Sequence, residues 1–444
     1  MSNSLSVAKT SLTESHILEE LAEAATKNQG GTKAIKGIKG LKVKDIKRPN
    51  ITISFHPEKG ICLSVATEVT IAGKSFIGGT MEITLRSKMK TESNLKVSPE
   101  KHLIFEVNKC GVELLSCKTN LPSSMLPKIV NKFLNSTLAK VLPGMMCPAA
   151  DKVVSIMAVR IEDMFVVNEI GDHGTMQYEL DGLPDLDGEW IGLCLRPIFY
   201  DKDGKEKEIS KEPPLSDDLP EKKEGSNEII LPVNILNALM ELFTDDFSCE
   251  VTGADSPLLT VNKLAEILPS IKDTLPPSGK VKVEIRPEEP PKFSLAEGKS
   301  SLVIFPKVDI LIHDTGRSIL SFQMTHEWLT KFAVDDEKLK IEAYEVRTSD
   351  VRDFSPSVDE ADVEALKGYM EDIVSSVCLP NVNKIMADNK MALPNMMGAT
   401  YSECETSITS VKDALAFDVT PKDLPMDLVA LADKFSHIQK KHHY

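Results

Sequence analysis

Residues 61–71 read Ile-Cys-Leu-Ser-Val-Ala-Thr-Glu-Val-Thr-Ile, so that apolar side chains recur at nearly every second position. A period of two is typical of a β-strand with one buried face. A turn at Pro57–Gly60 separates this strand from an earlier one, and further strands follow it. The alternating positions that predict these other strands are Ile51, Ile53, Phe55, Met81, Ile83, Leu85, Leu103, Phe105 and Val107. We therefore predict long antiparallel strands.

Apolar residues at helical spacing precede and follow these strands. Ser11-Leu12-Thr13-Glu14 has the form of a capping box, and it predicts a short amphipathic helix that ends near Lys27. A second helix is predicted from Ser123 or Ser124, with an interruption at Pro143-Gly144 and helical spacing again to Met157. Its apolar stripe consists of Leu126, Ile129, Val130, Phe133, Leu134, Leu138, Val141 and Leu142.

The same order of elements recurs in the second half of the chain. A strand is predicted at Leu193–Tyr200, closed by a hairpin at 201–204, before a charged linker at 209–226 without apolar period. A helix then begins at Pro232, strands follow at 281–285 and 302–312, and another helix covers 363–377. The helix end Cys147-Pro148-Ala149 resembles Cys378-Leu379-Pro380. We interpret this order as an internal duplication.

Composition indicates a folded globular protein of two or three domains. The chain has 444 residues, of which 41% are hydrophobic and 27% charged. Its net charge of −15 disfavours nucleic-acid binding, but the charge is unevenly spread. Residues 1–150 carry 21 basic and 12 acidic side chains, a net +9, whereas the remaining 31 basic and 55 acidic side chains give −24.

A lysine-rich edge accounts for much of the positive charge in the first half. Aliphatic residues alternate with its cations, so it suits an edge strand. One interpretation is a solvated edge that lysine protects against aggregation, and we rank it slightly ahead of the other, a contact with anionic headgroups. The cations are Lys33, Lys36, Lys39, Lys42, Lys44, Lys47 and Arg48.

The compartment is inferred from weak signals. Residues 1–27 lack the basic and apolar regions of a secretory leader, so either the protein is cytosolic or a leader is missing from this sequence. Sequons at Asn50 and Asn135, together with eight cysteines, favour the second possibility. Glycosylation of either asparagine stays open. No apolar run reaches the length of a membrane-spanning helix.

No motif indicates catalysis. Ala72-Gly73-Lys74-Ser75 contains the end of a phosphate-binding loop, but Glu68 stands where that motif needs glycine. The cysteines lack structural-zinc spacing, and no nucleophile or metalloprotease motif stands out. We therefore expect no enzyme activity, no metal and no cofactor.

Several strings, in order across both halves, resemble the family of bactericidal/permeability-increasing protein, lipopolysaccharide-binding protein and the PLUNC-like B members. The resemblance covers about residues 12–425. The strings are Ile38-Lys39-Gly40-Leu41-Lys42-Val43, Ile71-Ala72-Gly73-Lys74-Ser75-Phe76-Ile77-Gly78-Gly79, Val141-Leu142-Pro143-Gly144-Met145-Met146-Cys147-Pro148, Phe199-Tyr200-Asp201-Lys202-Asp203-Gly204, Pro290-Pro291-Lys292-Phe293-Ser294-Leu295, Ile304-Phe305-Pro306-Lys307-Val308-Asp309 and Leu379-Pro380-Asn381-Val382-Asn383-Lys384.

The resemblance implies an α+β fold, an elongated boomerang of two barrels, each a twisted antiparallel sheet with a long helix, joined by a central antiparallel sheet. It implies an N-terminal lead (1–11), a first barrel (12–208), the linker (209–226), a second barrel (227–426) and an amphipathic tail (427–444). Each barrel would hold an apolar lipid pocket. The residues expected to line the first pocket are Leu18, Leu21, Ile38, Leu41, Ile53, Leu63 and Val130.

The resemblance also implies one disulfide in the first half. Cys147 is the member at the helix end, and its partner is Cys110 or Cys117; the separation of 37 residues to Cys110 fits the family better than the 30 to Cys117. The other six cysteines are expected to be small buried hydrophobic residues. Such a bridge favours an oxidising compartment.

The function that the resemblance implies is that of a secreted carrier that holds phospholipid or another long-chain amphiphile in two apolar pockets. Bound lipid is expected in place of a cofactor. One alternative is a defence protein whose basic first half binds lipopolysaccharide or an anionic bacterial membrane. A second is a structural, surface-active protein of a secretion. The oligomeric state stays open.

Overall fold

A computed structural model describes residues 38–47, 50–57, 60–75, 79–98, 103–120, 143, 147, 165–187, 190–210, 226–394 and 400–422. The predicted helix at 12–27, nearly all of the helix at 123–157, most of the linker and the tail lie outside the described residues. So do the expected pocket residues Leu18, Leu21 and Val130.

The first half forms a five-stranded antiparallel sheet. The strand order is β1-β3-β4-β5, and β2 pairs with the part of β3 that lies beyond β1. The strands are β1 Ile38–Ile46, β2 Asn50–His56, β3 Gly60–Ser75, β4 Thr80–Val97 and β5 Leu103–Thr119. The predicted alternating strands are thus confirmed, and β4 and β5 run further than the sequence predicted.

A glycine starts β3 because the backbone requires one there. Gly60 has a φ of 68°, and a Cβ at this position would lie 1.9 Å from the carbonyl oxygen of Ser93 on β4. An L side chain is strained at this φ and has no room. The close approach fixes the β2–β3 turn against the end of the sheet.

Short strands follow in the middle of the chain. A four-stranded sheet has the order β11-β10-β7-β6, and β8 and β9 form a separate pair. The predicted hairpin at 201–204 is confirmed: the Asp201 carboxylate accepts hydrogen bonds from the backbone N–H groups of Asp203 and Lys205, both at 3.0 Å. The strands are β6 Asn168–Ile170, β7 Gly174–Leu180, β8 Asp185–Asp187, β9 Trp190–Gly192, β10 Leu195–Asp201 and β11 Glu206–Lys207.

The second half combines helices with an eight-stranded antiparallel sheet. This sheet runs β13-β14-β17-β18-β16-β15, with β19 on β18 and β20 on β19, while β12-β22-β21 form a three-stranded sheet. The strands are β12 Asn227–Pro232, β13 Cys249–Val251, β14 Val281–Pro287, β15 Lys292–Ala296, β16 Lys299–Ile304, β17 Pro306–Ile312, β18 Ser318–Asp335, β19 Lys338–Ser355, β20 Met391–Ala392, β21 Cys404–Val411 and β22 Ala414–Pro421.

The helices of the second half agree with their predicted positions. The helix predicted from Pro232 is α1 Val233–Leu242, and the helix predicted at 363–377 is longer. It consists of α3 Glu360–Ile373, a π-helical turn at Val374–Cys378, and α4 Leu379–Asp388. The remaining helix is α2 Val261–Ile267, and 3₁₀ turns lie at Thr244–Phe247, Pro269–Thr274 and Tyr401–Glu403.

Two disulfides are present among the described residues. Cys110–Cys147 confirms the better-fitting implied pair, whereas Cys117 stays a half-buried thiol whose pKa burial raises. Cys249–Cys378 shows that the expectation for the other six cysteines was wrong for this pair. It was also wrong for Cys194, which is exposed, while Cys404 is buried as expected.

The two disulfides join the same kinds of element: each links a strand residue to a cysteine within the helical segment of its half. The length of the loop that each bridge closes determines how much the bridge stabilises the folded chain, because cross-linking removes conformational entropy from the unfolded chain. Sequence separations of 37 and 129 residues correspond to roughly 4 and 5 kcal/mol in the chain-entropy description. The helical segments are therefore covalently held to their sheets.

The α+β class is confirmed, with sheets dominating. The arrangement of two barrels around a central sheet, the domain limits and the internal duplication stay predictions.

Candidate functional site

The inner face of β3 and β4 in the first sheet is largely apolar, with Ser87 as a buried polar residue between Leu85 and Met89. On β3 and β4, the odd-numbered side chains are buried at most positions and the even-numbered ones reach solvent to varying degrees, as a one-sided sheet requires. Ile83 is completely buried and Leu63 is 3% exposed. The buried apolar members of this face are Ile61, Leu63, Val65, Ile71, Met81, Ile83, Leu85 and Met89.

The structure brings some of the expected pocket residues together. Ile53 on β2 is the direct cross-strand partner of Leu63 on β3. Ile38 begins β1, opposite Ser75, and Leu41 lies where the β1–β3 register shifts between Lys39 and Lys42. Because the other three lie outside the described residues, the assignment of all seven to one pocket stays a prediction.

The sequence reading missed a polar end to this inner face. Beyond Met89, the buried positions of β4 are Thr91 and Ser93, and neither hydroxyl has a hydrogen-bond partner in the part of the chain that the structure describes. Thr91 lies opposite Leu63 on one side and disulfide-bonded Cys110 on the other. The period of two continues through 87, 91 and 93, so extending the alternation past Leu85 predicts which face these positions lie on but not that their hydroxyls lack partners.

In the second half, the inner face of β18 also mixes apolar and polar residues. His326 and Trp328 are 1% and 3% exposed. The Thr348 hydroxyl lies 3.1 Å from His326 Nδ1, but among the described residues neither His326 Nε2 nor Trp328 Nε1 has a hydrogen-bond partner. Burial lowers the pKa of His326 to about 4, so the ring is neutral at pH 7. The buried residues of this face are Leu320, Phe322, Met324, His326, Trp328 and Thr330.

Polar contacts fasten the helices to β19 beside this face. The Asn383 side chain on α4 accepts from Ala343 N–H at 2.9 Å and donates to Ala343 C=O at 2.7 Å. Glu371 on α3 accepts from the N–H of Thr348 at 2.5 Å. These contacts satisfy backbone groups of β19 and fix the distance between helix layer and sheet.

Ion pairs cover the outer face of the first sheet. Glu68 on β3 accepts from both Lys47 and Arg86, and these two cations lower the pKa of its carboxyl to about 2. Lys44 pairs with Glu82. Lys96 pairs with Glu106 at 2.5 Å, and Lys109 with Glu92 at 2.9 Å.

The lysine-rich edge is thereby partly neutralised. It lies on edge strand β1, as predicted, with Lys39 and Lys42 along the strand; Lys33, Lys36 and Arg48 are outside the described residues. Within the described part of the chain, Lys88 and Lys90 on β4 make no ion pair.

The described residues contain no group of three or more His, Cys, Asp or Glu side chains placed to hold a metal ion. None of their helices combines the length and hydropathy that crossing a membrane requires.

Comparison with known proteins places the chain in a family. The model described as the LBP / BPI / CETP family, N-terminal domain, matches residues 2–157. Human BPI fold-containing family B member 6 is 31% identical over 419 residues, covering 93% of this chain and 92% of that protein. Rat BPI fold-containing family B member 3 is 22% identical over 395 residues, covering 87% and 82%.

A solved structure shares the fold. The crystal structure of lipopolysaccharide binding protein superimposes with a TM-score of 0.57 at 14% identity, covering 87% of this chain and 88% of that one. At this identity the likeness concerns the fold alone. The 31% identity over nearly the full length of the human relative, together with the match of the family model, shows that this chain belongs to the LBP/BPI/CETP family, among the BPI fold-containing family B proteins.

Proposed function

We propose that the protein is a non-enzymatic carrier that holds phospholipid or another long-chain amphiphile in an apolar pocket in each half. The observation that supports this most is the largely apolar buried face of β3 and β4. Each methylene group of a lipid tail buried on such a face contributes about 0.8 kcal/mol before ordering costs. The proposed first pocket includes Leu63 and its partner Ile53, with Ile38, Leu41, Leu18, Leu21 and Val130 as further lining.

The proposed compartment is extracellular, reached through the secretory pathway. Its support is the pair of disulfides, because such bridges persist in oxidising compartments and are rare in the cytosol.

Lipid extraction tests the proposal directly. Protein secreted from insect cells is extracted with chloroform and methanol, and mass spectrometry of the extract is expected to show near-stoichiometric long-chain lipid. The delipidated protein is then titrated with the fluorescent fatty acid cis-parinaric acid. Protein that carries no lipid and does not bind this probe would contradict the proposal.

A matched pair of variants tests the first pocket. Leu63→Phe adds a ring to the inner face, whereas Ser64→Phe adds the same ring to the opposite face of the same strand. We expect Leu63→Phe to lower the number of bound cis-parinaric acid molecules and Ser64→Phe to leave it unchanged. Equal effects of the two variants would argue against a pocket on this face.

The alternative, a lipopolysaccharide or anionic-membrane binder, has Lys88 and Lys90 as its structural support. Five other cations of the sheet, Lys44, Lys47, Arg86, Lys96 and Lys109, already pair with carboxylates. We therefore rank this function second to lipid carriage.

A further inference from the structure

The geometry points to a buried hydrogen-bonding site in the second half, formed by His326 and Trp328, that binds an uncharged oxygen of a hydroxyl-bearing lipid. The inference rests on the proposed lipid-binding function and deepens it by naming the class of ligand. It concerns the interior of the second half and not the basic surface of the first.

Both side chains lie on the same face of one strand. They are two residues apart on β18, which places their Cα atoms about 7 Å from each other. His326 lies between Ile304 of β16 and Thr348 of β19, and Trp328 lies between Leu302 and Val346. The Trp328 ring also contacts Phe247, with centroids 6.0 Å apart. Apart from Thr348, these neighbours are apolar.

Within the described ranges, each side chain has one ring nitrogen without a hydrogen-bond partner. The two nitrogens, His326 Nε2 and Trp328 Nε1, are buried, and burial deprives them of the hydrogen bonds that water would make. Buried polar groups in native proteins are paired in about 90% of cases or more. Two unpartnered nitrogens on one strand face therefore indicate a partner that carries oxygen.

The chemistry of the two rings selects a hydroxyl group. Trp328 Nε1 only donates, whereas Nε2 of a neutral histidine donates or accepts according to the tautomer. A hydroxyl group both donates and accepts, so it satisfies either tautomer.

Charge excludes an anionic headgroup at this position. His326 is neutral, and the Glu371 carboxylate, which accepts from the N–H of Thr348, brings negative charge next to the residue that contacts His326. None of the neighbours named above carries a positive charge, so a buried anion would lack a compensating cation among them, and that burial is costly. Diacylglycerol meets these requirements, since it has long tails, ester oxygens and one hydroxyl.

The first test leaves the site intact. The chain has two tryptophans, so Trp190→Phe makes Trp328 the sole tryptophan fluorophore. This variant is titrated with diacylglycerol whose acyl chains carry bromine, a contact quencher. We expect Trp328 fluorescence to be quenched. Unlabelled 1,2-dioleoylglycerol should reverse the quenching at a concentration at least about tenfold lower than dioleoylphosphatidic acid, which replaces the hydroxyl by a charged phosphate.

The second test removes the nitrogens one at a time. His326→Phe and Trp328→Phe keep an aromatic ring, and each should weaken equilibrium binding of radiolabelled dioleoylglycerol roughly five- to tenfold, as expected for one lost hydrogen bond. Glu327→Gln, on the opposite face of β18, is the control and should bind as the wild type does. If either variant does not fold, the quenching experiment still decides.

The outcomes separate the inference from the proposed function. If the protein binds no acyl probe, both the proposed lipid carriage and the inference about His326 and Trp328 are contradicted. Protein that binds cis-parinaric acid but shows no Trp328 quenching by the brominated lipid remains a carrier, and the inference is overturned. Equal displacement by phosphatidic acid, or unchanged affinity in both ring variants, also overturns it and leaves water as the partner of the two nitrogens.

Discussion

A buried neutral histidine makes the stability of the second half depend on pH. Burial lowers the pKa of His326 to about 4 in the folded protein, against about 6.5 for an unfolded chain. Between these two values the unfolded chain binds a proton that the folded chain does not. Acid therefore favours unfolding in this window, and the contribution of His326 to stability is restored as the pH rises above about 6.5.

We expect this single side chain to lower the free energy of unfolding by about 2 kcal/mol between pH 7 and pH 5. Urea unfolding of the wild type and of His326→Phe, followed across this range, measures it, and the variant should show the shallower pH dependence. Between pH 7.5 and 8.5 the two profiles should run parallel, because the histidine is neutral in both states. Parallel profiles from pH 7 to pH 5 would contradict the assignment.

At the scale of an element, the outer face of the first sheet carries a network of ion pairs between neighbouring strands. Glu68 on β3 pairs with two cations, Lys47 beyond β1 and Arg86 on β4. Exposed pairs of this kind add little stability. Their larger effect is on the field of the sheet, since each carboxylate cancels the positive potential of a neighbouring cation.

Glu68→Gln is therefore expected to strengthen binding to anionic membranes. One added net positive charge near a membrane surface corresponds to about 1 kcal/mol, or roughly fivefold in affinity at low salt. Sedimentation with vesicles that contain phosphatidylserine measures this change, and 0.5 M NaCl should abolish it. Glu106→Gln, which leaves Lys96 unpaired elsewhere on the sheet, is the comparison. If neither variant binds vesicles better, this face is not a membrane contact.

Hydropathy patterns predicted the elements whose inner positions are uniformly apolar. β3 and α1 were found in this way, because Ile61, Leu63 and Val65, or Ile235 and Leu239, keep their periods. The two longest strands of the second half, β18 and β19, were missed. On β18 the inner row includes His326 and Thr330, and polar residues at buried positions hide the alternation that identifies a strand.

The candidate site was predictable in its apolar part only. Leu63 follows from alternation, but Thr91, Ser93, His326 and Trp328 are recognised by their burial without partners, which is a property of the folded chain. The second disulfide could not be predicted either. Its cysteines are 129 residues apart, and no local pattern brings Cys249 next to Cys378.

At the scale of the whole molecule, the turn at 171–174 contacts the end of α4. His173 Nδ1 lies 3.1 Å from the side-chain oxygen of Asn389, and Nε2 lies 2.5 Å from Asp246. The Tyr178 hydroxyl donates to the carbonyl of Ala392 at 2.7 Å. The contacts with Asn389 and Ala392 join the middle sheet to a segment more than 200 residues later in the sequence.

Gly171 is required for this contact. Its φ is 49°, and a Cβ would lie 1.7 Å from the Asn389 side-chain oxygen. We expect Gly171→Ala to destabilise the protein by roughly 2 to 3 kcal/mol, which combines about 1 kcal/mol of backbone strain with displacement of Asn389.

Gly204→Ala is the matched control, since its φ is 75° but nothing lies within 4 Å of its Cβ position. Gly204→Ala should lower the free energy of unfolding by about 1 kcal/mol, through backbone strain alone. Urea unfolding compares the two variants. Equal losses would mean that the Asn389 contact contributes nothing.

The Cys249–Cys378 bridge also determines what proteolysis can do to this molecule. A single cut anywhere between these two cysteines leaves both fragments in one covalent unit, and they separate only after reduction. The exposed turn at 313–315, which lies inside this loop, can thus be cleaved without release of the segment that contains α3 and α4. In a protease-rich fluid, the second half would stay assembled after such a cut and would look intact on a non-reducing gel.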